Sequence, residues 1–338
     1  MLTKALEQLR TRILEQTSPE RRETTRQNLQ QAFSAADQLS HVRNEDQAFL
    51  PCVFTQCEPS TALPHLPSGV IATPVAARTA MILGAAGDGP ETMACLDRLF
   101  LDLYRHGIQF VIWPRDPIAE SDDASPPLSR LTRRLHDELG FEWIANLIYV
   151  ARDPATPADP ALRENGPMQF ATVATHFALD FSSPGFCGDD SMLAFVRLVQ
   201  QTYVDTWDCP RLANYRGAME VLADYRSNHA FHPDYWYVAL IDDQPVGCVL
   251  MTPIGEFNLE LTYFGITPAA RGKGWGSHLM QFARDLAMQQ QRLLLAAVDE
   301  SNLPALRLYL KHGFRSIQRE SVWCANVPGT SEDSTASN

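Results

Sequence analysis

The residues whose types and spacing most directly suggest chemistry are Arg271-Gly272-Lys273-Gly274-Trp275-Gly276-Ser277. Closely spaced glycines let successive backbone N–H groups turn into one concavity. A helix that starts there adds the positive end of its dipole. Arg271 and Lys273 bring positive charge into a chain whose formal net charge is -12. A pyrophosphate suits such a loop. The P-loop pattern G-x-x-x-x-G-K-[ST] is missing, and the dinucleotide fingerprint G-x-G-x-x-G lacks its third glycine after Gly276. Taken alone, the loop reads equally well as a plain turn.

The elements that must position this loop follow from the pattern around it. Residues 259–266 read as a strand running into the loop and 278–290 as the helix leaving it. Then come a strand at 293–298, a helix at 303–312 closed by Gly313-Phe314, and a strand at 316–324. Upstream, 169–178 reads as a strand and 190–205 and 211–228 as helices. Residues 235–241 and 246–252 form a hairpin around Asp242-Asp243-Gln244-Pro245. Period-two alternation puts Glu260 on the strand face shared by Thr262 and Phe264.

A similar series precedes it. Helices are expected at 1–16 and 18–39, the second started by Ser18-Pro19-Glu20, with strands at 49–54, 69–72 and 79–84. A helix at 91–106, a strand at 108–113, a helix at 127–139 ending in Gly140-Phe141 and a strand at 142–151 complete it. The order strand, glycine segment, helix, strand, helix ending in Gly-Phe, strand therefore occurs twice, an internal repeat of fold. The expected domains are 1–152 and 168–326. Between them 153–167, with Pro154, Pro157, Pro160, Gly166 and Pro167, is the linker, and 327–338 a disordered tail.

Composition removes several function classes. A chain of 338 residues is long enough for two domains. It is acidic and has no basic patch, which argues against nucleic acid as a partner. Its 7 cysteines are scattered, with no C-x-x-C pair and no cysteine–histidine spacing for zinc, so no metal is expected. Thiols in a reducing cytoplasm are the simplest reading. Residues 1–16 lack a signal-peptide core, and the apolar stretch 70–86 is broken by Pro74 and Arg78, so no membrane span is expected.

The motif R-x-x-G-x-G after Gly265-Ile266-Thr267-Pro268 is followed by Asn302-x-x-Ala305-x-x-x-Tyr309-x-x-x-Gly313-Phe314. Over about 168–324 the sequence thereby resembles the GNAT acetyltransferase superfamily. The resemblance implies an α/β (α+β) fold of two GNAT-like domains, each a mixed twisted sheet flanked by helices. The C-terminal sheet would splay between its fourth and fifth strands into a cleft for acetyl-CoA. The main chain of Phe264, Gly265 and Ile266 would pair with the pantetheine arm. Gly272, Lys273, Gly274, Trp275, Gly276 and Ser277, with the charge of Arg271, would hold the pyrophosphate. Asn302 would contact the pantetheine portion and Tyr309 the sulfur.

Tyr309 is then the general acid, since a phenol of pKa about 10 is close enough to a thiol of about 8.5 for useful proton transfer. Otherwise it is a core residue of its helix. Glu260 matches a position from which some members of the superfamily draw a proton; otherwise it is a solvated or salt-bridged strand residue. His229, His232, Tyr225, Tyr235, Trp236 and Tyr237 line an acceptor pocket or simply pack. The implied activity is transfer of acetyl from acetyl-CoA to a primary amine of a small-molecule or peptide acceptor. The alternative is a non-catalytic acyl-CoA-binding or interaction module. The oligomeric state is not readable.

The tandem arrangement resembles that of mycothiol synthase. Counting back from Gly140, His136 falls where Tyr309 does and Ser129 where Asn302 does, while Gly84 to Gly89 aligns with the phosphate loop. Asp88 in that segment would repel a pyrophosphate. The first half is therefore expected to be a degenerate copy that completes the core or walls the acceptor site.

Overall fold

The computed structural model describes residues 11, 13–15, 17–40, 53–57, 68–76, 78–86, 90–116, 130–157, 167–181, 190–228 and 230–327. Most of the first expected helix, Gly87 to Gly89, Ser129, residues 158–166 of the expected linker, His229 and the tail after Val327 lie outside them.

In chain order the elements are α1 (Pro19–Ser40), β1 (Val53–Cys57), β2 (Ser68–Ala76), β3 (Thr79–Ala86), α2 (Pro90–Arg105), β4 (Phe110–Arg115), α3 (Arg130–Leu139) and β5 (Glu142–Arg152). Then follow β6 (Gln169–Thr172), α4 (Val173–Phe177), α5 (Asp190–Tyr203), α6 (Ala218–Ser227), β7 (Trp236–Ile241), β8 (Gln244–Ile254) and β9 (Asn258–Ile266). The last are α7 (Trp275–Gln289), β10 (Leu293–Asp299), α8 (Leu303–Lys311) and β11 (Arg315–Asn326). They form two compact units, 1–145 with 320–338, and 146–319.

In the first unit β1, β2 and β3 pair antiparallel in turn, β3 pairs β4 in parallel, and β4 pairs the end of β11 antiparallel. The parallel pair is joined through α2, whose Met93, Leu96, Phe100 and Leu103 recur at helical spacing and are buried with Val70, Ile82 and Val111. Ser18 starts α1 with its carbonyl, which accepts from the amides of Arg21 and Arg22. Its hydroxyl caps nothing there and donates instead to Asp116, 2.7 Å away. Cys95, in this core, is disulfide-bonded, where the scattered cysteines suggested free thiols.

In the second unit the strand order is β5-β10-β9-β8-β7-β6, with only β9 and β10 parallel. Successive residues of β8 face opposite sides. Val249 and Met251 pack with Leu279, Met280 and Ala283 of α7, while Cys248 and Leu250 pack with Phe195 and Val199 of α5 and Leu222 of α6. The β7–β8 turn is made by Asp242 and Asp243 alone, both at positive φ (50° and 60°), as a tight hairpin requires. Among the described residues no helix is long and apolar enough to cross a membrane.

Each unit takes its last strand from the other half of the sequence. The latter part of β5 pairs with β10, and β11 pairs with β4. A linear reading of the repeat does not express that exchange. Two element expectations also change. Residues 169–178 are not one strand: Thr172 accepts from the Thr175 amide and starts α4, which Ala178 closes at φ 54°. Residues 211–228 are not one helix: a short 3-10 turn at Pro210–Asn214 precedes α6, which begins after Gly217, where the Glu220 carboxylate takes the Gly217 amide.

Candidate functional site

The site starts from an irregularity in β9. Tyr263 lies opposite Leu250 and Leu261 opposite Met251, so Thr262 has no counterpart on β8 and forms a β-bulge. The parallel pairing of β9 with β10 covers Asn258 to Leu261 and stops there. Beyond the bulge, residues 262–266 have no strand partner on that side among the described residues. Ala297, Val298 and Asp299 of β10 pair only with β5. The two parallel strands thus part into a wedge with one unpaired main-chain edge, where an extended ligand could add as a strand would.

The bulge also resets the faces of β9. Leu259 and Leu261 pack on the α7–α8 side, as do Phe264 and Ile266, while Tyr263 packs on the α5–α6 side. Glu260 is therefore opposite Phe264, not beside it as unbroken alternation suggested. Gly265 has no room for a side chain. A Cβ there would lie 2.7 Å from Thr202 Oγ1 and 2.7 Å from the Tyr263 hydroxyl.

From the end of the wedge the chain passes through a short 3-10 turn, Pro268–Ala270, into the glycine loop. Gly272 and Gly274 sit at φ 72° and 85°, where a Cβ is costly. Gly274 precedes α7 and offers no side-chain cap. The amides of residues 272–276 have no hydrogen-bond acceptor among the described residues, and Lys273 is exposed without an ion-pair partner among them. Such a helix N-terminus is a ready anion site. Arg271 is used differently. Its guanidinium donates to the carbonyls of Ile266, Thr202, Val204 and Asp205, tying the loop to the C-terminal end of α5. The charge expected to face a pyrophosphate is spent on carbonyls. Trp275 opens α7 with its ring 5.2 Å from that of His278.

Tyr309 lies in the core on the α7–α8 side, 6% exposed, with its ring edge-on to Phe314 at 5.1 Å. Its hydroxyl has no hydrogen-bond partner among the described residues. Burial, then the Asp208 carboxylate, pushes its pKa well up, so it stays protonated. Asn302 caps α8, its Oδ1 accepting from the Ala305 amide at 3.3 Å, and also bonds Asp208. Asp208 accepts from the Asp299 amide (3.2 Å), and Asp299 accepts from the Cys209 amide (3.1 Å). This reciprocal clasp fixes the loop after α5 against the end of β10. Asn302 therefore both caps α8 and joins this clasp.

Glu260 faces the α5–α6 side, forms no ion pair among the described residues, and has its carboxyl pushed up by burial. Around it stand tyrosines. Tyr225 is raised chiefly by burial and then by Tyr203, Asp208 and Glu260, so these groups share one neighbourhood. The Tyr203 and Tyr263 rings meet edge-on at 5.6 Å, and the Tyr263 hydroxyl bonds Thr202. The nearby cation, Arg216, is ion-paired with Asp224. Of the expected pocket residues that are described, only Tyr225 stands here. Trp236 is core, Tyr237 packs on Phe282, Tyr235 bonds Gln290, and His232 is exposed. Asp208, Tyr203 and Tyr263 were missed, because no motif or spacing marks them.

The first unit repeats the irregularity. Ile71 lies opposite Gly84 and Ala72 opposite Ile82, so Leu83 bulges, and parallel pairing with β4 ends at Met81. The consequence differs. Gly84 to Ala86 continue β3 instead of forming a loop, and a Cβ on Gly84 would sit 2.4 Å from Cγ2 of Ile13. His136, at the position matching Tyr309, is exposed, and its Nδ1 lies 3.0 Å from an Asp137 carboxylate oxygen.

Residues 199–314 match the family model described as Acetyltransferase (GNAT) family. The superfamily resemblance of the C-terminal half therefore holds over that segment. No curated protein matches the sequence. Similar solved structures include a GCN5-related N-acetyltransferase from Sphaerobacter thermophilus, 16% identical with a TM-score of 0.45, over 79% of this chain and 80% of that one. A tandem GNAT protein from the clavulanic acid biosynthesis pathway is 13% identical with a TM-score of 0.43, over 83% and 85%. A GCN5-related N-acetyltransferase from Kribbella flavida is 15% identical with a TM-score of 0.42, over 89% and 95%. The GNAT fold is one that supports acyl transfer.

Proposed function

We propose that the second unit transfers an acetyl group from acetyl-CoA to a primary amine. The observation that carries this reading is the wedge at Thr262, whose free edge runs into a helix N-terminus with free amides, with Tyr309 in the core that Phe264 and Ile266 share. The free edge of Phe264 and Gly265 suits the amide groups of the pantetheine arm, and the amides of Gly272 to Gly276 with Lys273 suit the diphosphate. Bound acetyl-CoA supplies an activated thioester. Glu260, its carboxyl raised by burial, takes the proton from the incoming ammonium directly or through water. Tyr309 gives its hydrogen to the departing sulfur. The two act from opposite faces of the sheet, so acceptor and thioester meet across the wedge.

With Glu260 and Asp208 near Tyr225 and Arg216 already paired, the acceptor side favours a small cationic amine. Because acetyl-CoA is an intracellular metabolite, we assign the reaction to the cytoplasm. We further propose that the first unit binds no acyl-CoA, because Ile13 fills the space against Gly84 and no tyrosine stands at His136.

The test is thiol release from acetyl-CoA across a panel of amines, with mass spectrometry of the products. Acetylated amine at catalytic turnover supports the reading. Tight CoA binding without turnover on any amine would leave a non-catalytic binding module in its place.

A further inference from the structure

Ser277 is in the first turn of α7, where its amide donates to the Gly274 carbonyl at 2.9 Å. Its Oγ lies 2.7 Å from Nε2 of His312, the residue just before Gly313. His312 is 2% exposed and firmly held. Its amide donates to the carbonyls of Leu308 and Tyr309, and its own carbonyl accepts from Arg152 Nε at 2.9 Å. Burial first, and then the charges of Arg284 (also 2% exposed), Lys311 and Arg152, keep the imidazole neutral, its pKa lowered to about 4.

A neutral ring carries one hydrogen, and His312 Nδ1 has no partner among the described residues. A buried N–H without an acceptor is rarer and costlier than a buried lone pair without a donor. The hydrogen therefore sits on Nε2 and is donated to Ser277 Oγ. The hydroxyl hydrogen of Ser277 must then point elsewhere, and no protein acceptor meets it among the described residues. Ser277 stands one residue beyond the amides of 272–276 that find no acceptor among the described residues, in the first turn of the helix they open.

We propose that His312 is a positioning residue that holds the Ser277 hydroxyl as a hydrogen-bond donor to the diphosphate of coenzyme A. This rests on the reading that the loop grips that diphosphate. It adds a polar device behind the loop that the glycines and Lys273 do not reveal.

The experiment is calorimetric binding of CoA and of pantetheine, which lacks the diphosphate, to the full chain and its variants. Ser277→Ala and His312→Leu should each weaken CoA about tenfold, the value of a hydrogen bond to a charged group. The double variant should be no weaker than either. His312→Gln, which keeps an N–H near the same place, should bind as the wild type does. Pantetheine affinity should be the same throughout. Additive losses, or equal losses for pantetheine, overturn the proposal. Should His312→Leu fail to fold, nitrogen NMR of the wild-type ring decides: a hydrogen on Nε2 supports the proposal and one on Nδ1 overturns it. A wild-type protein that does not bind CoA instead overturns the underlying reading.

Discussion

Glu260 and Phe264 belong to one strand at an even spacing, yet their side chains face opposite sides of the sheet, because Thr262 between them is a bulge. The same bulge ends the pairing of β9 with β10. One extra residue thus opens the wedge and sets Glu260 on the face opposite Tyr309. A bulge stores this geometry cheaply, at the loss of a ladder position and a sharper local twist.

Tyr309→Phe removes only a hydroxyl that has no hydrogen-bond partner among the described residues. Turnover should fall about 100-fold, in the range of a lost general acid, with the KM for acetyl-CoA nearly unchanged. Steady-state thiol release measures both. Unchanged turnover would take Tyr309 out of the mechanism.

Burial raises the Glu260 carboxyl, so its deprotonated, proton-accepting form is lost on acidification at a higher pH than for a solvated glutamate. The acid limb of kcat/KM for the amine should lie above about 4.3, the ordinary glutamate value. Glu260→Gln should lower kcat/KM and abolish that limb. A limb that survives in the variant belongs to another group.

Arg271 and Lys273 sit in one loop and should fail differently. Arg271→Ala strips donors from carbonyls at the end of α5 and should cost about 2 kcal/mol or more in denaturant unfolding. Lys273→Ala should leave stability within about 0.5 kcal/mol and raise the KM for acetyl-CoA, an effect that shrinks with added salt.

Gly265→Ala would place a methyl 2.7 Å from both Thr202 Oγ1 and the Tyr263 hydroxyl. Overpacking of that kind should destabilise the protein by about 1–3 kcal/mol. A variant as stable as wild type would mean that Thr202 and Tyr263 yield freely.

The His312 ring titrates near pH 4 when folded against about 6.5 when unfolded. Between those values the unfolded chain binds more protons, so stability falls as pH drops through the window, by at most about 3.4 kcal/mol. Burial opposes protonation of the ring, and the charges of Arg284, Lys311 and Arg152 add to it. His312→Gln should flatten the stability profile over that range, read by denaturant unfolding at several pH values.

The sequence by itself determined most elements around the site, the glycine loop and the helix that carries Tyr309. These rest on short-range causes: side-chain period along one segment, and glycines that admit positive φ between a strand and a helix. Tertiary structure alone decided the rest. A bulge is a mismatch between two strands, so no single strand's pattern reveals which face Glu260 takes. Arg271 looks like a phosphate ligand until the carbonyls of Thr202, Val204 and Asp205 arrive from far along the chain. Asp208 and His312 acquire their roles only through Asp299 and Ser277, and β5 and β11 find partners in opposite halves of the sequence. Hydrogen bonds and strand pairing join residues by distance in space, which a linear pattern does not encode.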